Sequence, residues 1–190
     1  MQAYNKSEWE LKKEFVINRI HQGDVFVHPT DTIYGLGCDA TNGDAIIRIR
    51  DMKSRYTRPF SVIAPNKTWI RENCVVEKNA VPWLTKLPGP YTLILKLKNK
   101  NAIAPEVNAN IDTIGVRIID HWSQELAEKS GKPIVTTSAN KVGGNVMTTP
   151  EDIDLDIKGK IDFILHEELV KGKPSTIIDL TKDTETVTER

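Results

Sequence analysis

The sequence predicts a three-layer α/β domain built around a mixed sheet. Short, β-branched apolar segments typical of strands alternate along the chain with amphipathic segments typical of helices. The strand spacing is irregular, and at least one strand pair is too close in sequence for a helical crossover, so antiparallel pairs must accompany parallel ones. No repeat, linker or low-complexity segment divides the 190 residues. We therefore expect a single domain over residues 1–190.

The first predicted elements are a helix, a strand and a second helix. Ser7 and Glu10 form a capping-box pattern at the start of the first helix, which ends near Gly23. The predicted apolar face of this helix comprises Leu11, Phe15, Val16 and Ile20. Residues 25–27 predict a short buried strand, and residues 44–53 predict a helix with a lysine at its end.

The later elements are mostly strands. The apolar or alternating patterns that predict them are "FSVIAP", "YTLILKLK", "TIGVRII", "PIVTTSAN", "FIL" and "STIIDL". A helix is predicted from Val75 to Leu87 with an interruption near Pro82, and another over "HWSQELAEKSG", which has a glycine stop. "TPEDI" combines a threonine cap with a proline at the first helical position.

Composition excludes several classes of protein. The longest apolar runs are strand-length, far below the roughly 20 residues of a membrane span. The N-terminal segment lacks the pattern of a secretory signal, so we expect a cytoplasmic protein without membrane attachment. Cys38 and Cys74 form no CxxC pair, which argues against a zinc site or a disulfide framework and predicts buried thiols.

Charge is balanced overall but uneven along the chain. The 26 Lys and Arg residues equal the 26 Asp and Glu residues. Residues 41–71 carry seven cations and two acids, whereas residues 151–168 carry seven acids and two lysines. The first region could therefore hold anions, and the second would repel them.

The stretch "VFVHPTDTIYGLGCDA" combines a strand, a polar triplet and two glycines. Its GxGxxA pattern is a poor dinucleotide fingerprint, because Gly35 comes eight residues after Val27 and no acid follows at the ribose position. We interpret Gly35 and Gly37 as a corner that needs positive φ angles. The hydroxyls and carboxylate of "HPTDT" at a strand end predict a ligand-binding loop.

Further polar groups follow other predicted elements. "KSR" ends a helix, "GVR" ends a strand, and "TTSAN" places hydroxyls and an amide after another strand. In an extended segment Lys53 and Arg55 would point to one side about 7 Å apart, which suits two oxygens of one polyphosphate. Four scattered histidines, His28 among them, are interpreted as structural or solvent-facing.

The motifs "PTDTIYGLGCDA", "KSR", "PGPYT", "GVR", "TSAN" and "PSTIIDL" occur in this order. Together they resemble the YrdC/Sua5 family of threonylcarbamoyl-adenylate synthases, over about residues 10 to 181. The resemblance implies a twisted mixed parallel/antiparallel sheet around a concave basic cavity. It also implies that L-threonine, bicarbonate (or CO2) and ATP are joined to give threonylcarbamoyl-AMP and pyrophosphate, the first step toward the t6A modification of tRNA.

The resemblance also assigns site residues. Threonine would be bound by Thr32, by Arg117 at its carboxylate, and by Thr136 and Ser175. ATP would be bound by Lys53, Arg55, Thr113, Ser138 and Asn140, with Arg58 in place of an amide that contacts phosphate. Lys53 and Arg55 would be catalytic, facing the phosphate charge that develops in the reaction, with Mg²⁺ bridging the phosphates and no protein-bound metal.

Some features depart from the family pattern. The loop "YTRPFSV" after "KSR" is one residue shorter than in many members, a nearby histidine is missing, and Val142 stands where serine is common after "SAN". Arg190 either matches the arginine of a closing family motif or is a frayed end. The expected partners are downstream t6A transfer proteins and tRNA or double-stranded RNA. The alternatives are a YciO-like paralogue with a related nucleotide or carbamoyl substrate, and a nonenzymatic RNA-binding module.

Overall fold

The structure, a computed structural model, describes residues 2–141 and 143–189. Val142 and Arg190 therefore lie outside the described residues. The described strands are β1 (Gln2–Asn5), β2 (Phe26–His28), β3 (Gly35–Gly37), β4 (Ser61–Ile63), β5 (Tyr91–Lys96), β6 (Thr113–Arg117), β7 (Ile134–Ser138), β8 (Phe163–His166), β9 (Thr176–Asp179) and β10 (Thr186–Thr188). The helices are α1 (Lys6–His21), α2 (Gly43–Lys53), α3 (Lys67–Asn73), α4 (Val81–Thr85), α5 (Pro105–Asn108), α6 (Glu125–Ser130) and α7 (Leu155–Lys158).

The strands form one sheet in the order β1-β8-β2-β3-β7-β4-β6-β5-β9-β10. The pairs β1–β8, β2–β8, β4–β6 and β5–β9 are parallel, and the other neighbours are antiparallel. The prediction of a mixed sheet is therefore confirmed. The predicted strands from "FSVIAP" onward are all present.

Alternate residues of the strands enter two separate cores. Val27, Val62 and Val135 belong to one core, with apolar residues of α2, α3, α4 and α5. Phe26 and Ile134 belong to the other, with apolar residues of α1 and α6. Since successive side chains of a strand point to opposite faces, helices cover both faces of the sheet. The sheet and its two covering layers of helices are the three-layer arrangement that the sequence predicts.

The side chains of the candidate site share the face of the second core. Thr136 alternates with Val135 on β7, Arg117 with Val116 on β6, and Thr92 with Leu93 on β5, and these apolar neighbours all belong to the first core. Beyond the part that α1 and α6 cover, this face therefore carries polar side chains. The result is a polar hollow over the middle of the sheet.

The start of α1 differs from the prediction. The N-cap is Asn5, and Glu8, not Glu10, completes the capping box, because β1 delivers the chain directly into the helix. Trp9, Val16, Ile17 and Ile20 are buried, whereas Leu11 and Phe15 are 85% and 52% exposed. Leu11 lies about 200° around the helix from Trp9, so the two cannot share one face.

Two further predictions were wrong. Residues 75–87 do not form an interrupted helix: only residues 81–85 are α-helical, and Pro82 lies in the first turn, where its missing N–H breaks no helical bond. Neither Gly35 nor Gly37 is among the residues with positive φ, since both lie in β3. Their role is close packing. A Cβ on Gly37 would lie 2.9 Å from Phe26 Cε2 and 3.1 Å from the Val135 carbonyl oxygen.

Replacing Gly37 with alanine is therefore expected to lower the free energy of unfolding by about 1–3 kcal/mol, because the new methyl group overpacks the core. Chemical denaturation measures this change. Gly159→Ala is the matched control, because the nearest atom to its new Cβ would be 3.6 Å away. We expect the control to leave stability unchanged or to raise it by up to about 1 kcal/mol. Equal effects of both variants would contradict the packing role of Gly37.

Candidate active site

Two adjoining cavities contain most of the predicted site residues. The inner cavity, of about 90 Å³, is lined among others by Thr32, Arg55, Arg117, Thr136, Ser138 and Ser175. The outer cavity, of about 390 Å³, is lined among others by Lys53, Arg55, Arg58, Ser138 and Asn140. Arg55 and Ser138 line both cavities. A small ligand group in the inner cavity would therefore be adjacent to a larger ligand in the outer one.

The inner cavity contains a buried ion pair. Arg117 Nη2 donates to Asp31 Oδ1 at 2.6 Å, and both residues are 5% exposed. Both terminal nitrogens of Arg117 also lie 3.3 Å from Thr32 Oγ1. Thr30 Oγ1 lies 2.9 Å from the same hydroxyl, which fixes the loop after β2. The guanidinium group is thus held in one orientation by the "PTDT" segment.

A second hydroxyl pair closes the inner cavity from the other side. Ser175 precedes β9, which lies parallel to β5, and its Oγ is 2.7 Å from Thr92 Oγ1. Both side chains are buried. Thr92 was not predicted as a site residue, although the "PGPYT" motif contains it. The parallel β5–β9 pair thus joins two motifs that are far apart in sequence.

Lys53 lies at the end of α2 and is 3% exposed. Its Nζ donates to the carbonyl oxygens of Ser138 at 2.6 Å and Asn140 at 2.5 Å. Burial, and secondarily the Arg55 guanidinium, lower the pKa of Lys53 to about 8. The lysine therefore connects α2 to the "TTSAN" segment at the boundary of the two cavities.

The "KSR" segment is not extended as predicted. Ser54 is the C-cap of α2 and adopts the left-handed conformation, with φ 48°, so the chain turns sharply between Lys53 and Arg55. Arg55 donates to the Pro59 carbonyl oxygen at 2.8 Å, and its guanidinium carbon lies 5.2 Å from the Phe60 ring centre. Lys53 and Arg55 nevertheless both line the outer cavity, so their side chains can contact the same ligand.

Arg50 supports this loop, a role that sequence reasoning missed. Its guanidinium group donates to the carbonyl oxygens of Arg55 at 2.6 Å, Arg58 at 3.2 Å and Glu106 at 2.7 Å. The side chain is 6% exposed. The signal available in the sequence was its spacing, since Arg50 comes one helical turn after the apolar Ile46 and one turn before Lys53. Arg50 thus fixes the backbone that presents Arg55 and Arg58.

Four cationic side chains line the outer cavity. Lys53, Arg55, Arg58 and Lys141 line it, and its lining within the described residues includes no carboxylate. Lys141 is partly neutralised by ion pairs with Asp156 and, at 3.8 Å, with Asp154. Anionic ligands are favoured in such a cavity. Thr113 is the residue of the assigned ATP site that lies elsewhere. It is at the opposite end of β6 from Arg117 and lines neither cavity.

A serine–histidine–glutamate chain contacts the loop after β2. His121 Nδ1 is 2.9 Å from Ser123 Oγ, and His121 Nε2 is 3.1 Å from both carboxylate oxygens of Glu167. Ser123 is fully buried, however, and its hydroxyl donates to the Pro29 carbonyl oxygen at 2.6 Å. It therefore cannot serve as a nucleophile toward a ligand, and the chain instead ties Glu167 to the loop after β2.

The cysteines are also unsuited to covalent catalysis. Cys38 and Cys74 are free and buried, as predicted. Burial raises the pKa of both thiols, that of Cys74 to about 12.

Within the described residues no group of three or more His, Cys, Asp or Glu side chains could hold a metal ion. In the same part of the chain, no helix is long and apolar enough to cross a membrane.

Comparison with known proteins identifies the family. The Sua5/YciO/YrdC family model, described as "Telomere recombination", matches residues 18–190. The chain belongs to this family. A threonylcarbamoyl-AMP synthase of Vibrio parahaemolyticus, one of its relatives, is 33% identical over 173 residues, which cover 87% of this chain and 92% of the relative.

Two solved structures of the Sua5/YciO/YrdC family have the same fold. Sua5 of P. abyssi complexed with L-threonine superposes with a TM-score of 0.88 at 28% identity, over 98% of this chain and 56% of that one. The present chain thus spans little more than half of that Sua5. YciO of E. coli gives a TM-score of 0.85 at 27% identity, over 100% of this chain and 93% of YciO.

Proposed function

We propose that the protein is an L-threonylcarbamoyladenylate synthase, forming threonylcarbamoyl-AMP and pyrophosphate from L-threonine, bicarbonate or CO2, and ATP. The observation that carries this proposal is the pair of adjoining cavities. One contains hydroxyls and a fixed arginine, which suit an amino acid. The other is lined by four cations and, among the described residues, by no carboxylate, which suits a polyphosphate. The V. parahaemolyticus relative and the threonine-bound P. abyssi Sua5 support the same reaction.

In this proposal threonine binds in the inner cavity, contacted by Thr32, Arg117, Thr136 and Ser175. Its carboxylate approaches the guanidinium of Arg117, whose planar fork suits a carboxylate better than a lysine does. The ion pair with Asp31 already neutralises part of the positive charge of Arg117. The carboxylate must therefore share the guanidinium with Asp31, which makes the orientation of the arginine as important as its charge.

ATP binds in the outer cavity, with Lys53, Arg55, Arg58, Ser138 and Asn140 around its phosphates. The threonine nitrogen loses a proton and adds to CO2, and the resulting carbamate oxygen attacks the α-phosphorus. The bond from that phosphorus to the bridging oxygen breaks, and pyrophosphate leaves. Lys53 and Arg55 would stabilise the charge that develops on the phosphate oxygens. Positioning across the two cavities replaces a covalent enzyme nucleophile.

Magnesium enters this proposal as part of the Mg-ATP substrate. The cationic lining of the outer cavity suits phosphate oxygens and is a poor ligand set for a cation. We further propose that the chain acts as one cytoplasmic domain over residues 1–190 and passes its product to t6A transfer proteins that act on tRNA. The geometry supports a small-molecule site more directly than an RNA surface.

Pyrophosphate release tests the proposal. Purified protein is incubated with Mg-ATP, and L-threonine and bicarbonate are omitted in turn. We expect release only when both are present. ATP binding without threonine-dependent release would refute the synthase assignment and support a YciO-like paralogue, since the chain is also similar to 93% of E. coli YciO. If neither ATP nor threonine binds, an RNA-binding role replaces both the synthase and the YciO-like assignment.

The pH dependence provides a further prediction. Lys53 must be protonated to attract phosphate, and its pKa in the free protein is lowered to about 8. The charge is therefore present below pH 8 and is lost as the pH rises through 8, well before an ordinary lysine would titrate. We expect kcat/KM for ATP to fall above about pH 8, since this ratio reports groups of the free enzyme. In Lys53→Arg the fall should move to higher pH, and an unmoved profile would contradict the assignment.

A further inference from the structure

Phe60 is a buried aromatic residue to which the reaction proposed above gives no role. It comes directly before β4, is 2% exposed and contributes to the lining of the inner cavity. The guanidinium carbons of Arg50 and Arg55 lie 4.6 Å and 5.2 Å from its ring centre. The face of an aromatic ring attracts cations at such distances. One ring therefore holds two cationic side chains next to the cavity.

Hydrogen bonds join this ring and the loop before it to α5. Arg50 Nη1 donates to the Arg55 carbonyl oxygen at 2.6 Å, and Arg50 Nη2 donates to the Glu106 carbonyl oxygen in α5 at 2.7 Å. The main-chain N–H of Phe60 donates to the Val107 carbonyl oxygen, also in α5, at 2.8 Å. The last carbonyls of a helix have no partner within that helix, so they are available to these donors. The loop and the ring are thus both attached to α5.

Arg55 is held at its main chain and at its side chain. Its carbonyl oxygen accepts the hydrogen bond from Arg50. Its guanidinium group donates to the Pro59 carbonyl oxygen at 2.8 Å and lies over the Phe60 ring. Because Arg55 lines both cavities, these contacts determine where its charge lies relative to a ligand in either cavity. A cation that is oriented before the ligand binds needs no reorganisation when negative charge develops.

We propose that Arg50 and Phe60 are positioning residues that fix the guanidinium group of Arg55 at the wall that the two cavities share. Arg50 fixes the main chain of Arg55, and the Phe60 ring fixes its side chain. Neither residue needs to touch the reacting atoms, because each acts through Arg55. The consequence for catalysis rests on the function proposed above, but the positioning itself does not.

The positioning is tested without substrate. The order parameter of the Arg55 Nε–Hε bond is measured by NMR relaxation in the wild-type protein, in Arg50→Met and in Phe60→Leu. We expect about 0.85, the value of a rigid backbone, in the wild type and a value below about 0.6 in both variants. Phe60→Leu keeps an apolar side chain in the core, so it tests the ring even if Arg50→Met does not fold. A wild-type order parameter in either folded variant would overturn the proposal.

Each variant has a matched control. Arg48 lies on α2 two residues before Arg50, and its side chain is 42% exposed, so Arg48→Met removes a more exposed arginine from the same helix. The Arg19 guanidinium carbon lies 5.9 Å from the Phe15 ring centre on α1, so Phe15→Leu removes a ring with a comparable cation contact. We expect both controls to keep the wild-type order of Arg55. An equal loss of order in a variant and its control would also overturn the proposal.

Pyrophosphate release tests the consequence for catalysis. In Phe60→Leu we expect kcat to fall about tenfold or more, because a small displacement of a catalytic group is costly, while KM for ATP changes by less than about threefold. Since Phe60 acts through Arg55, Phe60→Leu should cause no further loss in an Arg55→Met background. Fully additive losses would exclude action through Arg55. If the wild type releases no pyrophosphate, the proposed function fails, and the order parameter alone decides the positioning.

Discussion

Replacing Lys53 with methionine is expected to lower kcat for pyrophosphate release by about 100-fold or more, the typical loss when one preorganised donor to a developing anion is removed. Methionine keeps most of the volume of the lysine side chain, so the packing of α2 is retained. What disappears is the positive charge at the boundary of the two cavities, together with the hydrogen bonds from Lys53 to the carbonyl oxygens of Ser138 and Asn140. Steady-state kinetics at saturating ATP and threonine measure the effect.

Lys141→Met is the matched control for Lys53→Met. Lys141 also lines the outer cavity, but its side chain is 46% exposed and is paired with Asp154 and Asp156. Its charge is therefore screened and already partly neutralised. We expect kcat within about threefold of wild type in this variant, because exposed ion pairs contribute little. If Lys53→Met kept more than a tenth of the wild-type kcat, its catalytic role would be disproved.

Replacing Arg117 with methionine should have two effects that can be separated. The buried carboxylate of Asp31 loses its ion-pair partner, which should lower the free energy of unfolding by about 3–5 kcal/mol. Threonine also loses the guanidinium that faces its carboxylate, so its Kd should rise by about 100-fold or more. Chemical denaturation and calorimetry measure these two changes independently.

A second substitution distinguishes stability from binding. In Asp31→Asn/Arg117→Met no buried carboxylate remains unpaired, so most of the stability should return while threonine binding stays weak. Arg48→Met is the control for removing an ion pair. Arg48 pairs with Asp162 at 2.8 Å with side chains 42% and 28% exposed, so we expect a loss of about 1 kcal/mol or less. Recovery of threonine binding in the double variant would contradict the role of Arg117.

Much of the fold could be predicted because strong local patterns determine it. The helix over residues 44–53 has apolar residues at helical spacing, and the strands around residues 91–96 and 134–138 have clear apolar patterns. β3 could not be predicted in the same way. Its sequence Gly-Leu-Gly has low strand propensity, and close packing explains the glycines: Gly37 lies against Phe26 and Val135, and Gly35 lies against His28 and Thr136.

The candidate site was predictable by residue type but not by geometry. Hydroxyls, an arginine and the "KSR" cations were recognisable from ordered motifs. Local sequence cannot indicate that Asp31 holds Arg117, since these residues are 86 positions apart. The sequence also predicted an extended conformation for "KSR", which is wrong. Serine rarely adopts the left-handed conformation that Ser54 has at the C-cap of α2.

The pairing of β5 with β9 has a consequence for how the protein acquires activity during folding. Thr92 and Ser175 meet across 83 residues of chain, and one side of the inner cavity depends on that contact. Non-local pairings of this kind form slowly, because the chain loses the entropy of closing the loop before the new contact can stabilise it. Helices such as α2 rely on local contacts and can form earlier. A refolding chain should therefore regain most of its helical circular dichroism before it can retain a substrate, and ligand binding would mark the completion of the sheet.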